Sequence, residues 1–198
     1  MESETKSIAE FEKARNLALQ KYGRNVYNFG LLESWLKMLV SHAEISGHVS
    51  ELPEILNRQV RAVHNKTMGQ VIKQFIEKVD PDSVPANKEP LVVKDLYISH
   101  TFSLEINNDE FQDKKLVLEA ISRDRNELIH HFHDHFKLDS IQNCQEAIRH
   151  LDLQREECLP YFEETRNLVT VYAECLKESV EIMSSEEFLK TIMSDKAQ

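Results

Sequence analysis

Residues 25–47, NVYNFGLLESWLKMLVSHAEISG, decide the fold class, because their apolar side chains recur at helical spacing. Leu32, Trp35, Leu36 and Leu39 occupy positions i, i+3, i+4 and i+7, which lie on one side of an α-helix. The pattern predicts an amphipathic helix that ends at Gly47, since glycine is a common helix stop.

The same periodicity on either side of this stretch predicts further helices. Ser7 and Glu10 have capping-box spacing, so a first helix is predicted from Ser7 to about Tyr22, with Gly23 as its stop. Other helices are predicted over residues 53–79, 108–132, 140–157 and 161–183, with a short tail helix over 185–193. Pro160 is predicted to break or kink the chain between the last two long helices, because proline lacks an N–H and clashes with the preceding turn.

One segment departs from the helical pattern. Residues 80–90, DPDSVPANKEP, contain three prolines and no apolar periodicity, and they predict a loop. Residues 91–106 are rich in β-branched and aromatic side chains, which favour an extended arm or a short β-hairpin. The chain is therefore predicted to be one all-α domain over residues 1–198, an up-and-down helical bundle of four to five long helices with an insertion at 80–106.

Composition restricts the kinds of partner that the protein can have. The chain of 198 residues carries a formal net charge of −10. Such a chain repels nucleic acid at long range, so any contact with RNA has to come from a local basic site. This argues against a general nucleic-acid binder, but less against a nuclease that contacts one phosphate at a time.

Cysteine usage and the N-terminus indicate a cytoplasmic protein. Three cysteines, Cys144, Cys158 and Cys175, form no CxxC pair, and an odd number is typical of reduced thiols in the cytosol. No apolar run follows the polar start MESETKS, so no signal peptide is expected. The longest apolar stretches are far shorter than a membrane span.

Residues 121–136, ISRDRNELIHHFHDHF, concentrate two arginines, four histidines and an asparagine in one predicted helix end. Since each helical residue turns by about 100°, Arg123, Asn126 and His130 share one face, whereas Arg125 lies about 140° from His130. Arg125 and His130 therefore converge only if the helix ends or opens nearby, or if a second chain completes the site.

These residue types suit phosphate chemistry. An imidazole can take a proton from a ribose hydroxyl or give one to a leaving oxygen. A guanidinium offers a fixed fork of donors to the non-bridging phosphate oxygens. An asparagine can orient the phosphate without changing the charge. Together they suffice for metal-free cleavage of RNA by its own 2′-hydroxyl, a nucleophile that DNA lacks.

The stretch RNELIH at 125–130 resembles the signature of HEPN domains, in which a polar residue, often asparagine, follows an arginine and a histidine stands four to six positions after that arginine. Upstream, FGLLESWLKMLV (29–40) and NKTMGQVIKQF (65–75) are similar in order and spacing to bacterial HEPN proteins. The resemblance implies an all-α bundle that forms a homodimer with the two motifs facing each other across a cleft. It also implies a metal-independent endoribonuclease, commonly the toxin of a toxin–antitoxin or phage-defence system, whose antitoxin is often a small nucleotidyltransferase.

The resemblance assigns roles to particular residues. Arg125 would bind and stabilise the scissile phosphate, Asn126 would orient it, and His130 would be the acid or base. Arg123 and His131 lie beside the motif and are second candidates for substrate binding. No metal and no cofactor is implied. The insertion at 80–106 would shape substrate choice or hold a partner.

Three alternatives remain open at this point. Arg125 and His130 could be only a solvated helix end, where the helix dipole favours cations. The bundle could be a HEPN-like interaction module without chemistry, which the net charge of −10 favours. A metal-dependent hydrolase could use the polar side chains that follow the motif: His131, His133, Asp134 and His135.

Overall fold

The computed structural model describes residues 2–80, 97–104, 106–186 and 188, and it confirms a predominantly helical bundle with one small antiparallel sheet. Its elements, in chain order, are α1 (Glu2–His42), β1 (Glu44–His48), α2 (Leu52–His64), α3 (Met68–Val79), β2 (Tyr97–Thr101), α4 (Asn108–Asn126), a π-helical turn (Glu127–His131), α5 (Phe132–His135) and α6 (Ile141–Met183). None of the described helices is long and apolar enough to cross a membrane.

Helix α1 corrects the prediction of two separate helices, because it runs without interruption through Gly23 and Gly30. A glycine inside a helix costs only about 0.5–1 kcal/mol relative to alanine. Buried side chains on both sides of the glycines, including Ala18 and Phe29, continue the same core-facing stripe and outweigh that cost. The predicted capping box at Ser7 lies inside the helix.

The sheet corrects the predicted end of the second helix at Gly47. Helix α1 ends at His42, and β1 then pairs with β2 in an antiparallel register that places Gly47 opposite Ile98. A Cβ atom on Gly47 would lie 2.5 Å from Cδ1 of Ile55, so this glycine permits close packing on α2. The strand expected within the insertion is therefore present, and its partner is β1. The predicted loop at 80–90 falls, except for Asp80, outside the described residues.

The predicted helix over 53–79 is wrong, because α2 and α3 are separate. Thr67 begins α3 with a capping box: its hydroxyl accepts a hydrogen bond from the backbone N–H of Gln70 at 3.5 Å, and the Gln70 side chain accepts one from the Thr67 N–H at 3.0 Å. The capping box satisfies two backbone donors, which allows the chain to turn between Val63 and Met68, two buried anchors.

Helix α6 also continues where a break was predicted. Ser140 caps its start by accepting from the N–H of Asn143 at 3.2 Å, and the helix passes through Pro160 to Met183. Pro160 is exposed, whereas Cys158 and Phe162 on either side of it are buried. Burial of these neighbours keeps the helix together despite the hydrogen bond that proline cannot make. The predicted tail helix over 185–193 lies mostly outside the described residues.

Helices α1 and α6 lie side by side and run in the same direction. Lys21, in the middle of α1, contacts Asp152 in the first third of α6 at 2.6 Å, and the hydroxyl of Tyr172, later in α6, donates to the carbonyl of His42 at the end of α1 at 2.9 Å. Helix α4 runs the opposite way along α6, because its end contacts Gln154, whereas Lys114, near its beginning, pairs with the later Glu164.

A buried amide network fixes the end of α4. The side chain of Asn25 donates to the carbonyl of Leu151 at 2.8 Å and to the side chain of Gln154 at 3.0 Å. Gln154 in turn donates to the backbone carbonyl of Asp124 at 3.3 Å. Asn25 and Gln154 are 2% and 6% exposed. Three helices are thus joined just before the polar cluster begins.

Candidate functional site

The polar cluster lies where the winding of the helix changes. After Asn126 the chain forms a π-helical turn over Glu127–His131 and then the single α-turn α5. A π turn closes i→i+5 hydrogen bonds where an α turn closes i→i+4 bonds, so the winding after Asn126 is wider than in a regular helix. Leu128 and Phe132 anchor the turn in the core. The helix therefore changes its winding at the motif, and the convergence of Arg125 with His130 stays a prediction.

Two neighbours hold Arg125. Its Nη1 donates to Oδ1 of Asn126 at 3.1 Å, and its Nη2 lies 3.6 Å from Oε2 of Glu33 on α1. The other oxygen of Glu33 pairs with Nζ of Lys37 at 2.7 Å. The Arg125 side chain is 24% exposed. Its guanidinium is therefore oriented by α1 while part of its surface remains open to solvent.

Sequence reasoning did not find Glu33 and Lys37. Both lie in the apolar stretch FGLLESWLKMLV, and both are largely shielded from solvent. Glu33 and Lys37 form an i,i+4 pair of opposite charges inside a core-facing stretch. Such pairs normally occupy the solvent side of a helix, so this position was the signal that could have identified them.

The histidines of the motif lie on the outer side of the π turn. His130 is exposed, and within the described ranges no hydrogen bond joins it to Arg125 or Asn126. His131 is also exposed, with Nδ1 3.4 Å from Oδ2 of Asp134. Arg123 lines a cleft of about 640 Å³ between α3 and α4. The structure therefore joins Arg125 to Asn126 directly, leaves His130 and His131 open, and places Arg123 to one side.

A second cleft, of about 350 Å³, lies between the π turn and α6. Asp124 lines it together with His150, and burial, reinforced by the charge of Glu157, raises the pKa of the Asp124 carboxyl. Glu127 and His135 also line this cleft and lie 3.6 Å apart. Such perturbed carboxyls occur at functional sites and in structural networks alike. The sequence did not indicate Asp124, because burial in the folded chain causes the shift.

The histidines after the motif do not converge. His131 faces Asp134, His135 faces Glu127, and the ring of His133 lies 5.6 Å from that of Phe132. In the part of the chain that the structure describes, no group of three or more histidine, cysteine or acidic side chains is arranged to hold a metal ion.

Two of the three cysteines are buried. Burial raises the pKa of the Cys158 thiol to about 12 and also raises the pKa of Cys144. Both therefore stay protonated at neutral pH and lack the thiolate that nucleophilic chemistry needs. Cys175 is exposed.

Comparison of the chain with protein-family models, with curated proteins and with solved structures gives no significant match in any of the three. The fold and the site define the protein as a helical bundle with an arginine–asparagine pair and two open histidines at a π turn.

Proposed function

We propose that this protein is a metal-independent endoribonuclease of the HEPN type, which cleaves RNA through attack by the substrate's own 2′-hydroxyl. The observation that supports it best is the π turn, which begins immediately after Arg125 and Asn126 and contains His130 and His131. π turns are rare and frequently occur at functional sites.

The chemistry follows from the side chains. The 2′-oxygen attacks phosphorus, the bond from phosphorus to the 5′-oxygen breaks, and the products are a 2′,3′-cyclic phosphate and a free 5′-hydroxyl. One proton leaves the 2′-hydroxyl and one is added to the 5′-oxygen. His130 can perform either transfer, so the His130 pair of a dimer supplies both. Arg125 donates to the non-bridging oxygens as their charge develops.

The contact between Glu33 and Arg125 is compatible with phosphate binding. A strong charge-assisted hydrogen bond from a guanidinium to a carboxylate measures about 2.7–2.9 Å. The 3.6 Å distance here is longer, so Glu33 orients Arg125 without engaging it fully. Asn126, which accepts from the other Arg125 nitrogen, is exposed and can also reach the phosphate. Arg123 and His131 would bind the flanking substrate.

The proposal includes a setting for the activity. The protein would act in the cytoplasm as a homodimer whose two motifs face one cleft. It would be the toxin of a toxin–antitoxin or antiviral defence system, with a nucleotidyltransferase-like antitoxin as partner. The insertion at 80–106 would contribute to substrate choice or to holding that partner. These parts rest on the resemblance at RNELIH and on the fold class.

The test is cleavage of end-labelled single-stranded RNA by the purified chain in EDTA, beside DNA of the same sequence. RNA should be cut and DNA left intact. Arg125→Ala and His130→Ala should each lower the rate by at least about 100-fold, the lower end of the usual contribution of an acid–base group or an oxyanion donor. His133→Ala and Arg149→Ala, which change the same residue types outside the motif, should cleave normally. Cleavage that requires an added divalent metal would show the mechanism to be wrong.

A second candidate is an interaction module that keeps the bundle and does no chemistry. The net charge of −10 and the carboxylate of Glu33 beside Arg125 favour it. In that case His130→Ala would leave RNA intact as the wild type does, and would change only partner binding. Size-exclusion chromatography with candidate partners distinguishes the two.

A further inference from the structure

A stretch without acidic residues covers most of α2, the turn after it and most of α3. Residues 55–76, here named the α2–α3 corner, contain no aspartate or glutamate, where the average composition of 34 acidic residues in 198 would place about four. The corner carries five basic side chains: Arg58, Arg61, His64, Lys66 and Lys73. The stretch itself therefore carries a net positive charge in a chain whose net charge is −10.

The helix dipoles account for only part of this positive charge. Arg61 and His64 lie in the last turn of α2, where the helix dipole favours cations. The first turn of α3 would favour acidic residues for the same reason, yet it has none, and Lys66 stands directly before the cap residue Thr67. The start of α3 thus lacks the negative charge that would stabilise it.

The α2–α3 corner adjoins Arg125 through contacts on two sides. Nζ of Lys37 donates to the carbonyl of His64 at 2.9 Å and also pairs with Glu33, whose second oxygen faces Arg125. A Cβ atom on Gly69 would lie 3.2 Å from Oγ of Ser122. The start of α3 therefore packs against α4 about one turn before Arg125.

We infer that the α2–α3 corner is a polynucleotide subsite that binds the phosphates flanking the one held by Arg125. This rests on the proposed function for the identity of the reacting phosphate. Arg58, Arg61 and Lys73 are exposed and Lys66 is half-buried. Within the described residues, these four form no ion pair, so their charges are available to a ligand.

The size of the α2–α3 corner matches a short length of strand. Arg58 and His64 are six residues apart on α2, about 9 Å along the helix axis, which is the length of two to three stacked nucleotides at about 3.4 Å each. A phosphodiester strand is favoured over an acidic polypeptide because the corner adjoins, through the contacts of Lys37 and Glu33, an arginine in a residue set suited to a scissile phosphate.

The experiment measures binding, separately from cleavage. The full chain is titrated onto a short fluorescent 2′-O-methyl oligoribonucleotide, which has no 2′-hydroxyl to react, at several salt concentrations. Arg61→Gln/Lys66→Gln should weaken binding about 10-fold and lower the slope of log Kd against log salt by about 1.4, the contribution of two single-strand phosphate contacts. The matched control is Lys13→Gln/Arg15→Gln, which removes the same charge from exposed positions about 33–36 Å along α1 from Lys37.

The inference is overturned if the wild type does not bind the oligonucleotide, or if both double variants weaken binding equally. It is also overturned if Arg61→Gln/Lys66→Gln keeps its affinity for the oligonucleotide and loses binding only to poly-glutamate, which would make the α2–α3 corner a site for an acidic protein. Circular dichroism and thermal melting verify that each variant is folded. Binding that depends on the corner, without cleavage of unmodified RNA, would support the subsite and reject the nuclease. RNA cleavage that needs Arg125 but is unaffected by changes in the α2–α3 corner would support the nuclease and reject the subsite.

Discussion

Folding shifts the carboxyl pKa of two aspartates in the bundle, Asp152 and Asp124, in opposite directions. Asp152 accepts hydrogen bonds from Lys21 and Arg24, and these bonds hold the pKa of its carboxyl below the ordinary value of 3.8. Among the described residues, no side-chain hydrogen bond or ion pair involves the Asp124 carboxyl, and its burial beside Glu157 raises its pKa. Ionised Asp152 therefore stabilises the fold, whereas ionised Asp124 opposes it.

We predict that Asp124→Asn raises the free energy of unfolding at neutral pH. Because the folded-state pKa lies above 3.8, the native protein binds more protons than the unfolded chain does, and its stability falls as the pH rises through this window. The full penalty is present at neutrality and disappears below 3.8. Urea denaturation of the wild type and the variant at neutral pH and near pH 3 measures the difference.

Asp152→Asn is the matched control, for which the free energy of unfolding should change in the opposite direction. Its folded-state pKa is depressed, so the stabilisation is present above 3.8 and is lost as the pH falls through the folded value. The substitution should destabilise the protein at neutral pH, by a modest amount because the side chain is 39% exposed and solvent screens the pair. If both variants shift stability in the same direction, the assignment of the two environments is wrong.

The sequence could identify a candidate residue only where the evidence lay in nearby positions of the chain. Arg125, Asn126 and His130 are predicted site residues on the basis of residue type, spacing and the resemblance at RNELIH, all of which are local. Glu33 was missed because its contact with Arg125 joins two helices that are distant in the chain. The pKa of Asp124 likewise depends on what covers the carboxyl after folding.

At the scale of elements, helical periodicity identified nearly every helix, whereas local stop signals placed several ends wrongly. Gly23, Gly47 and Pro160 each predicted a helix end that the structure does not have at that position. Tertiary burial outweighs a breaker when the residues on both sides of it face the core. The capping box at Thr67, which begins α3, was not recognised in the sequence, because the apolar stripe continues on both sides of it.

The connection between α5 and α6 provides a prediction about backbone conformation. Leu138 has a φ of 49°, in the left-handed region, and its side chain is 6% exposed. Leu138→Ala should lose about 2–4 kcal/mol of stability, because it removes a buried side chain. Leu138→Gly loses the same contacts but removes the left-handed strain of about 1–2 kcal/mol. We therefore predict that the glycine variant is the more stable of the two.

Leu151 supplies the comparison, since it is fully buried in the middle of α6 with helical backbone. There the usual order should hold, with Leu151→Gly less stable than Leu151→Ala by about 1 kcal/mol. Thermal and chemical denaturation of the four variants measures the order of stability at each position. The same order at both positions would mean that the backbone at Leu138 is not strained.

At the scale of the whole molecule, the proposed dimer makes a prediction that the native cysteines help to test. We expect His131→Cys, in a Cys175→Ser background, to be joined to a second chain by a short bis-maleimide, giving a species of twice 23.1 kDa. Cys144 and Cys158 should stay unreacted, because both are buried and burial raises the pKa of each thiol.

The wild type is the control, since its exposed cysteine is Cys175 on α6. It should remain a single chain under the same treatment. If Cys175 crosslinks efficiently and the cysteine at position 131 does not, the two motifs do not face each other in the assembly. The expectation of a dimer comes from the resemblance at RNELIH alone, since periodicity within one chain does not show which surfaces meet.

The π turn also has a consequence for how such a site could arise. A helix with one residue too many absorbs the surplus as a single wide turn, and the segments before and after keep their places in the core. Removing Ile129, one codon, would let regular winding resume while Phe132 still reached its neighbours on α1. The step from an ordinary helix to a reactive one would then be an insertion and not a series of point substitutions.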